Sequence, residues 1–71
     1  MENLRKAREL VRLSQIALAR RAGVSRMRLQ LAEAGEIVLR PDEVAVLNRA
    51  LRDVLVERTA RVEDALAIAG A

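Results

Sequence analysis

The chain has 71 residues and a net charge of +3, so it is long enough for one small domain with a thin hydrophobic core. It contains no Cys and no His, which excludes disulfides and the commonest metal ligands and removes the usual general base of enzymes. It also contains no aromatic residue, which argues against single-strand and RNA-recognition modules, because these stack bases on aromatic rings. We therefore expect no cofactor, no metal, no small-molecule ligand and no enzymatic activity.

The charge is distributed unevenly along the chain. Residues 1–40 contain nine Lys/Arg and four Asp/Glu, a net charge of +5, whereas residues 41–71 contain four and six, a net charge of −2. A basic half and an acidic half favour a nucleic-acid surface and a separate assembly surface, although a solvated surface with uneven charge is the alternative. No apolar run reaches the length of a membrane span and no signal-peptide pattern is present, so we expect a cytoplasmic, nucleoid-associated protein.

A first helix is predicted from Leu4 to Val11. Its apolar residues recur at spacings of three and four and form one stripe: Leu4, Ala7, Leu10 and Val11. Asn3 is a suitable N-cap for this helix, because its short side chain can accept a hydrogen bond from an unpaired backbone N–H.

The stretch 15–34 predicts two short helices joined by a sharp turn. Ser14 and Ser25 are placed to cap the first and the second helix. Gly23 lies between them and tolerates the positive φ that a tight turn needs. Ala19 is small at the point where the helices must cross closely. Two pairs of apolar residues define the buried faces: Leu18 with Ala22, and Leu29 with Ala32.

This pattern resembles the Cro/phage-repressor (XRE-like) family of helix-turn-helix DNA-binding domains. The resemblance covers residues 4–51 and is carried by residues at matching offsets: Leu13-Ser14-Gln15, Leu18-Ala19, Gly23-Val24-Ser25, Leu29, Glu33 and Gly35. It implies an all-α, lambda-repressor-like bundle of four to five helices around a central helix-turn-helix. We expect residues 1–71 to form this single domain.

The resemblance also implies roles for individual residues. Arg8 and Glu33 match two positions that form an ion pair between the first and third helices, which holds the recognition helix at its angle. Gln15 matches a glutamine that contacts the DNA backbone and steadies the first residue of the recognition helix, and Ser25 joins the DNA contact there. Arg12 departs from the pattern, because the family often has a helix-ending glycine at this position.

The segment 25–34 is the candidate recognition helix. With Leu29 and Ala32 directed to the core, the 100° step of an α-helix directs a different set outward: Met27, Gln30, Leu31 and Ala34. Arg26 and Arg28 lie near the helix N-terminus, where the helix dipole disfavours cations. Their presence favours a negatively charged partner, and helix-turn-helix proteins insert this end of the helix into the major groove.

The outward residues have distinct expected roles on DNA. Arg26 is expected to bind guanine O6 and N7 in a bidentate contact. Met27 and Leu31 are expected to contact thymine methyl groups, with core packing as the alternative. Gln30 would read adenine or contact a phosphate, and Arg28 is expected to contact a phosphate.

The rest of the chain predicts a short loop and a long helix. Gly35 ends the third helix, and the following loop contains three consecutive apolar residues that are expected to fold onto the core or join an assembly surface: Ile37, Val38 and Leu39. A continuous helix is predicted over about 42–69, because this stretch lacks Gly and Pro and continues an apolar stripe: Leu51, Val54, Leu55, Val62, Leu66 and Ala69. A break with a separate fifth helix capped by Thr59 is the alternative.

The far part of this stripe extends beyond a body of this size, which predicts homodimerisation through Leu55, Val62 and Leu66. The leading hypothesis is a homodimeric, sequence-specific regulator that binds a near-palindromic double-stranded DNA site. The resemblance implies phage-repressor, mobile-element or restriction-controller roles. The alternatives are an antitoxin whose C-terminal helix binds a toxin, and a helical protein-interaction module without a DNA role.

Overall fold

The computed structural model describes residues 2–70, which form four helices and no strand. The helices are α1 (Glu2–Leu10), α2 (Gln15–Ala22), α3 (Arg26–Glu33) and α4 (Pro41–Gly70). The expected all-α class, with a central helix-turn-helix and a long C-terminal helix, is confirmed. Within the described part of the chain, no helix combines the length and apolar character that crossing a membrane requires.

The hydrophobic core lies where α1, α2 and α3 pack against the first half of α4. Three leucines are fully buried at its centre: Leu18, Leu29 and Leu47. Smaller or more peripheral residues surround them: Leu4, Ala19, Ala32, Leu39, Ala50 and Leu51. α2 contacts both α3 and α4, so it links the short third helix to the long helix. The buried core consists of leucine and alanine with Val54 at its edge, in keeping with the absence of aromatic residues.

Helix α1 differs from the prediction at both ends. It begins at Glu2, so Asn3 lies inside the helix and does not cap it. Leu4 is buried, but the expected stripe is wrong for Ala7 and for Leu10, which is 84% exposed. By the 100° step, Leu10 lies about 120° around the helix from buried Leu4, so it points away from the narrow contact that α1 makes, and Val11 packs from the connection that follows.

Three helices end in the same hydrogen-bonded motif. After α1, the N–H groups of Arg12 and Leu13 donate to the carbonyls of Glu9 and Arg8 at 3.0 and 3.1 Å, which is the Schellman pattern. The ends of α2 and α3 repeat this pattern around Gly23 (φ 71°) and Gly35 (φ 80°). At the end of α1 the left-handed position is taken by Arg12 with φ 54°. Arg12 therefore adopts the backbone conformation of the glycine that it replaces in the family pattern.

Helix α4 runs without a break for 30 residues. Thr59 lies inside it, because its hydroxyl donates to the Leu55 carbonyl at 2.8 Å, so a fifth helix capped by Thr59 is ruled out. The preceding loop returns Leu39 to the core and leaves Val38 exposed. Burial on α4 ends at Val54, and every described residue beyond it is exposed. The described chain consequently measures 50 × 18 × 17 Å.

Replacing Arg12 with glycine is expected to raise the free energy of unfolding by about 0.5–1 kcal/mol. The left-handed conformation costs an L-residue about 1–2 kcal/mol, and the greater freedom of glycine in the unfolded chain offsets about 0.5–1 kcal/mol of that gain. Equilibrium urea unfolding measures the change. Arg12→Ala is the control, because it removes the charge and keeps the Cβ. If both variants changed stability equally, backbone strain at Arg12 would be disproved.

Candidate nucleic-acid interface

The turn between α2 and α3 is defined by capping residues on both helices. Ser14 caps α2, and its hydroxyl oxygen accepts a hydrogen bond from the backbone N–H of Ala17 at 3.0 Å. Gly23 adopts φ 71° and reverses the chain. Ser25 caps α3 by accepting from the backbone N–H of Arg28 at 3.4 Å. The two helices therefore begin and end where the sequence predicts, in a helix-turn-helix arrangement.

Helix α3 has one buried face and one exposed face. Leu29 and Ala32 are buried, as predicted. The opposite side forms the recognition face, which we define as Arg26, Met27, Gln30 and Leu31. Met27 is 69% exposed and so does not pack in the core, whereas Leu31 is half-buried. Within residues 2–70, the Arg26 side chain has no ion pair and no hydrogen bond, so its guanidinium is available to a ligand.

The C-terminal end of α3 is held by the carboxylate of Glu33. Arg8 donates to it from Nε and Nη2 at 2.8 and 2.7 Å, and Gln15 donates from Nε2 at 2.9 Å. Arg8 Nη1 also donates to the Leu13 carbonyl at 2.9 Å. Burial raises the pKa of Glu33, but the hydrogen bonds from Arg8 and Gln15 outweigh it and hold the pKa below 4.5. This carboxylate thereby ties α1 and α2 to the recognition helix.

The N-terminal end of α3 is held by a second buried carboxylate, that of Glu43 on α4. Arg28 donates to it from Nε and Nη2, both at 2.7 Å, and the backbone N–H of Arg40 adds a bond of 2.9 Å. The hydrogen bonds from Arg28, and then that from Arg40, lower the pKa of Glu43 from 4.5 to about 2. The recognition helix is therefore fixed by ion pairs at both ends.

Two of these contacts differ from the expectations for the site. The Gln15 side chain contacts Glu33, the last residue of α3, and not the first residue of the recognition helix. Arg28, which the sequence predicts to contact a phosphate, donates from Nε and Nη2 to Glu43, and its Nη1 has no partner within the described chain. Both differences arise because a buried carboxylate lies within reach of the side chain in the folded protein.

Sequence reasoning did not identify two of the pairs around the helix-turn-helix. From the sequence, Glu43 is one of two acidic residues in the first turn of α4, where a carboxylate suits the positive end of the helix dipole. Its position three residues after Arg40 is typical of a glutamate that caps a helix start, but nothing local indicates Arg28 as its partner. Arg21 pairs with Glu57 through bonds of 3.0 and 2.9 Å and joins α2 to the exposed part of α4. No local spacing signals this pair either.

The capped helical pair, its leucine core and its exposed basic recognition face define a helix-turn-helix domain. A family model described as "Helix-turn-helix" matches residues 4–54, more than two thirds of the chain. The chain belongs to this family of Cro/repressor-type DNA-binding domains, and it is accordingly a DNA-binding regulator. The chain has no significant match among curated proteins or solved structures.

The Glu43 contact should make folding stability depend on pH. Because the pKa of Glu43 is lower in the folded chain than its ordinary value of 4.5, the contact stabilises the fold above about pH 4.5. This contribution is lost as the pH falls from about 4.5 to about 2. In the Glu43→Gln variant this side chain cannot titrate. The difference in free energy of unfolding between wild type and this variant should therefore shrink as the pH falls from about 4.5 to about 2.

Urea unfolding at pH 7, 4, 3 and 2 provides the measurement. The matched control is Glu36→Gln, which removes an exposed carboxylate that has no ion pair within the described residues. The control should stay parallel to wild type throughout. If the free energy of unfolding of wild type and of Glu43→Gln changed with pH in parallel, the contact would contribute nothing to folding stability.

Proposed function

We propose that this chain is a sequence-specific transcriptional regulator that binds a near-palindromic DNA operator as a homodimer, with α3 in the major groove. The observation that carries the proposal is the recognition face, which is exposed, free of acidic residues and fixed at both ends by ion pairs. Such rigidity suits base reading, because direct contacts require side chains at defined positions in the groove. The proposal places the protein at the nucleoid in the cytoplasm, in control of a phage, a mobile element or a restriction system.

The residues of the recognition face are assigned to base edges. Arg26 has both edges of its guanidinium available and would bind guanine O6 and N7. Met27 and the exposed part of Leu31 would contact thymine methyl groups, and Gln30 would bind adenine N6 and N7 or a phosphate. This set combines one cation with one amide and two apolar side chains, which is enough to distinguish several base pairs.

The residues beside this face are assigned to the phosphate backbone. Arg28 would donate to a phosphate from Nη1 while Glu43 holds its Nε and Nη2, so the pair fixes the guanidinium before DNA arrives. Gln15 and Ser25, at the starts of α2 and α3, would contact the same strand. Backbone contacts of this kind position a protein on DNA without reading its sequence.

Homodimerisation is supported by the apolar stripe on the exposed half of α4. Leu55, Val62 and Leu66 are 48%, 57% and 66% exposed. Burying each would contribute about 1.5–3 kcal/mol. A two-fold dimer covers the stripe twice with a single type of contact. It would place the two recognition helices about 34 Å apart, one turn of DNA.

Selection of bound sequences from random duplex DNA tests the proposal as a whole. The expected product is a pair of inverted half-sites separated by about one helical turn. Enrichment of single half-sites would contradict dimeric binding. No enrichment above the starting library would contradict sequence-specific recognition.

Arg26 and Arg28 should differ in how their loss affects DNA affinity. Arg26→Ala should cost about 1–3 kcal/mol on the selected site and relax specificity at one base pair. Arg28→Ala should weaken binding to all duplexes alike and lower the salt slope by about one, since one phosphate contact is lost. Titrations at several salt concentrations, on selected and random duplexes, measure both quantities.

The control for Arg28 is Glu43→Gln, which disturbs the same contact but keeps the cation. It should leave the salt slope unchanged. If Glu43→Gln and Arg28→Ala lowered the slope equally, Arg28 would act only through the fold. If Arg26→Ala weakened selected and random DNA to the same extent, its base-reading role would be wrong.

Replacing Val62 and Leu66 together with Asp should produce a monomer, because unpaired charges would then lie in the dimer contact. Affinity for the two-half-site operator should fall steeply, since each half-site is then bound alone. Sedimentation measures the assembly state. The matched control is Ala60→Asp with Ala67→Asp, which adds the same charge on the opposite side of the helix. A double Asp variant at 62 and 66 that stays dimeric would place the interface elsewhere, with exposed Val38 as the next candidate.

A further inference from the structure

The exposed half of α4 carries a seven-residue repeat. Leu55, Val62 and Ala69 lie seven residues apart, and Thr59 and Leu66 each follow four residues after the first two. In heptad notation, Leu55, Val62 and Ala69 occupy position d, and Thr59 and Leu66 occupy position a. All five are exposed. Positions a and d form the contact seam of a coiled coil, so this segment, which we call the α4 seam, presents such a seam without a partner in the described chain.

The α4 seam has a defined beginning. The preceding position a is Arg52, where two copies would bring like charges together. As far as Val54, which is buried, the helix also packs against the core of its own chain. Pairing with a second helix is therefore possible only from Leu55 onward, where α4 extends beyond the core.

The one polar residue in the α4 seam is already satisfied. The Thr59 hydroxyl donates to the Leu55 carbonyl at 2.8 Å. Burial of Thr59 between two helices would consequently leave no unpaired donor, which removes the usual cost of a hydroxyl in an apolar contact.

Flanking charges distinguish the two possible helix directions. Arg58 occupies position g and Glu63 occupies the following position e, and these positions lie side by side in a parallel, in-register pair. Each Arg58 would then face Glu63 of the second copy, and two-fold symmetry forms this pair twice. Within the described chain the Arg58 side chain contacts the Val11 carbonyl and has no carboxylate partner. An antiparallel pair centred on Val62 would instead bring the two Glu63 side chains together.

We propose that two copies of this chain associate through a short parallel, in-register coiled coil formed by the α4 seam. This inference rests on the proposed homodimer and adds its direction and its register. It also fixes the symmetry, because the two-fold axis then runs along α4 between the paired helices. Both helix-turn-helix bodies consequently lie at the same end of the assembly.

Single-cysteine cross-linking tests the direction, since the natural chain has no cysteine. Leu55→Cys, Val62→Cys and Ala69→Cys are each equilibrated in a glutathione redox buffer at micromolar protein. In the parallel arrangement all three variants should form disulfide dimers, because equivalent d positions face each other.

An antiparallel pair centred on Val62 gives a different pattern. The introduced thiols of the Leu55→Cys variant would then lie about 21 Å apart along the axis, and those of the Ala69→Cys variant would be equally distant. Only Val62→Cys should therefore cross-link in that arrangement. Ala60→Cys, on the far side of the helix, is the control and should not cross-link.

Charge exchange provides a second measurement that does not depend on cysteine. Glu63→Arg should weaken the dimer about 3- to 10-fold, and Arg58→Glu combined with Glu63→Arg should recover most of that loss. The two residues are five apart and do not share a face within one helix, so recovery must arise between copies. Cross-linking at only one position, or no recovery, would overturn the parallel arrangement.

The failure of this inference can be distinguished from failure of the proposed function. Suppose that the wild-type chain sediments as a dimer and selects inverted half-sites, but that the cysteine variants cross-link only at position 62. The proposed function would then stand, and the parallel arrangement would be wrong. A wild-type chain that is monomeric at micromolar concentration with and without DNA overturns both.

Discussion

Two buried carboxylates hold α3, and the geometry of the proposed DNA-binding surface depends on them. Glu33 fixes the C-terminal end of α3 through Arg8 and Gln15, and Glu43 fixes the N-terminal end through Arg28. An eight-residue helix is too short to be stable alone, so its direction must be set by what surrounds it. Buried ion pairs contribute little net stability compared with apolar packing, but they enforce a defined geometry. The two carboxylates therefore serve orientation, while the leucine core supplies most of the stability.

The core explains why the chain extends so far beyond its body. A small all-α body with a core of aliphatic side chains is covered once α4 has passed Val54. The helix nevertheless continues to Gly70 with apolar residues on one side. Two contacts tie this half to the body: Arg21 with Glu57, and Arg58 with the Val11 carbonyl. Leaving an apolar stripe of this kind exposed to water is energetically unfavourable. The proposed pairing with a second copy removes that exposure and connects assembly to DNA binding.

The distribution of arginines shows why a count of basic residues is a poor guide to a DNA surface. Arg8 and Arg21 are committed to glutamates on other elements, and Arg28 is shared between a glutamate and solvent. Arg26 has no partner in the described chain and lies on the recognition face. The basic N-terminal half therefore contains both arginines held in ion pairs and an arginine without a partner among the described residues. Placement, and not number, separates the two groups.

The elements that depend on local signals could be predicted from the amino-acid sequence. Serine caps, Gly23 between two apolar pairs and the uninterrupted stripe of α4 predicted the helical pair and the continuous long helix, because these signals act over a few residues. The resemblance indicated Arg8 opposite Glu33. Three features became visible only in the packed fold: Leu10 faces solvent, Gln15 reaches the far end of α3, and Glu43 holds Arg28. These outcomes depend on the distances and angles between helices, which local periodicity does not encode, since a side chain finds its partner only after the helices have packed.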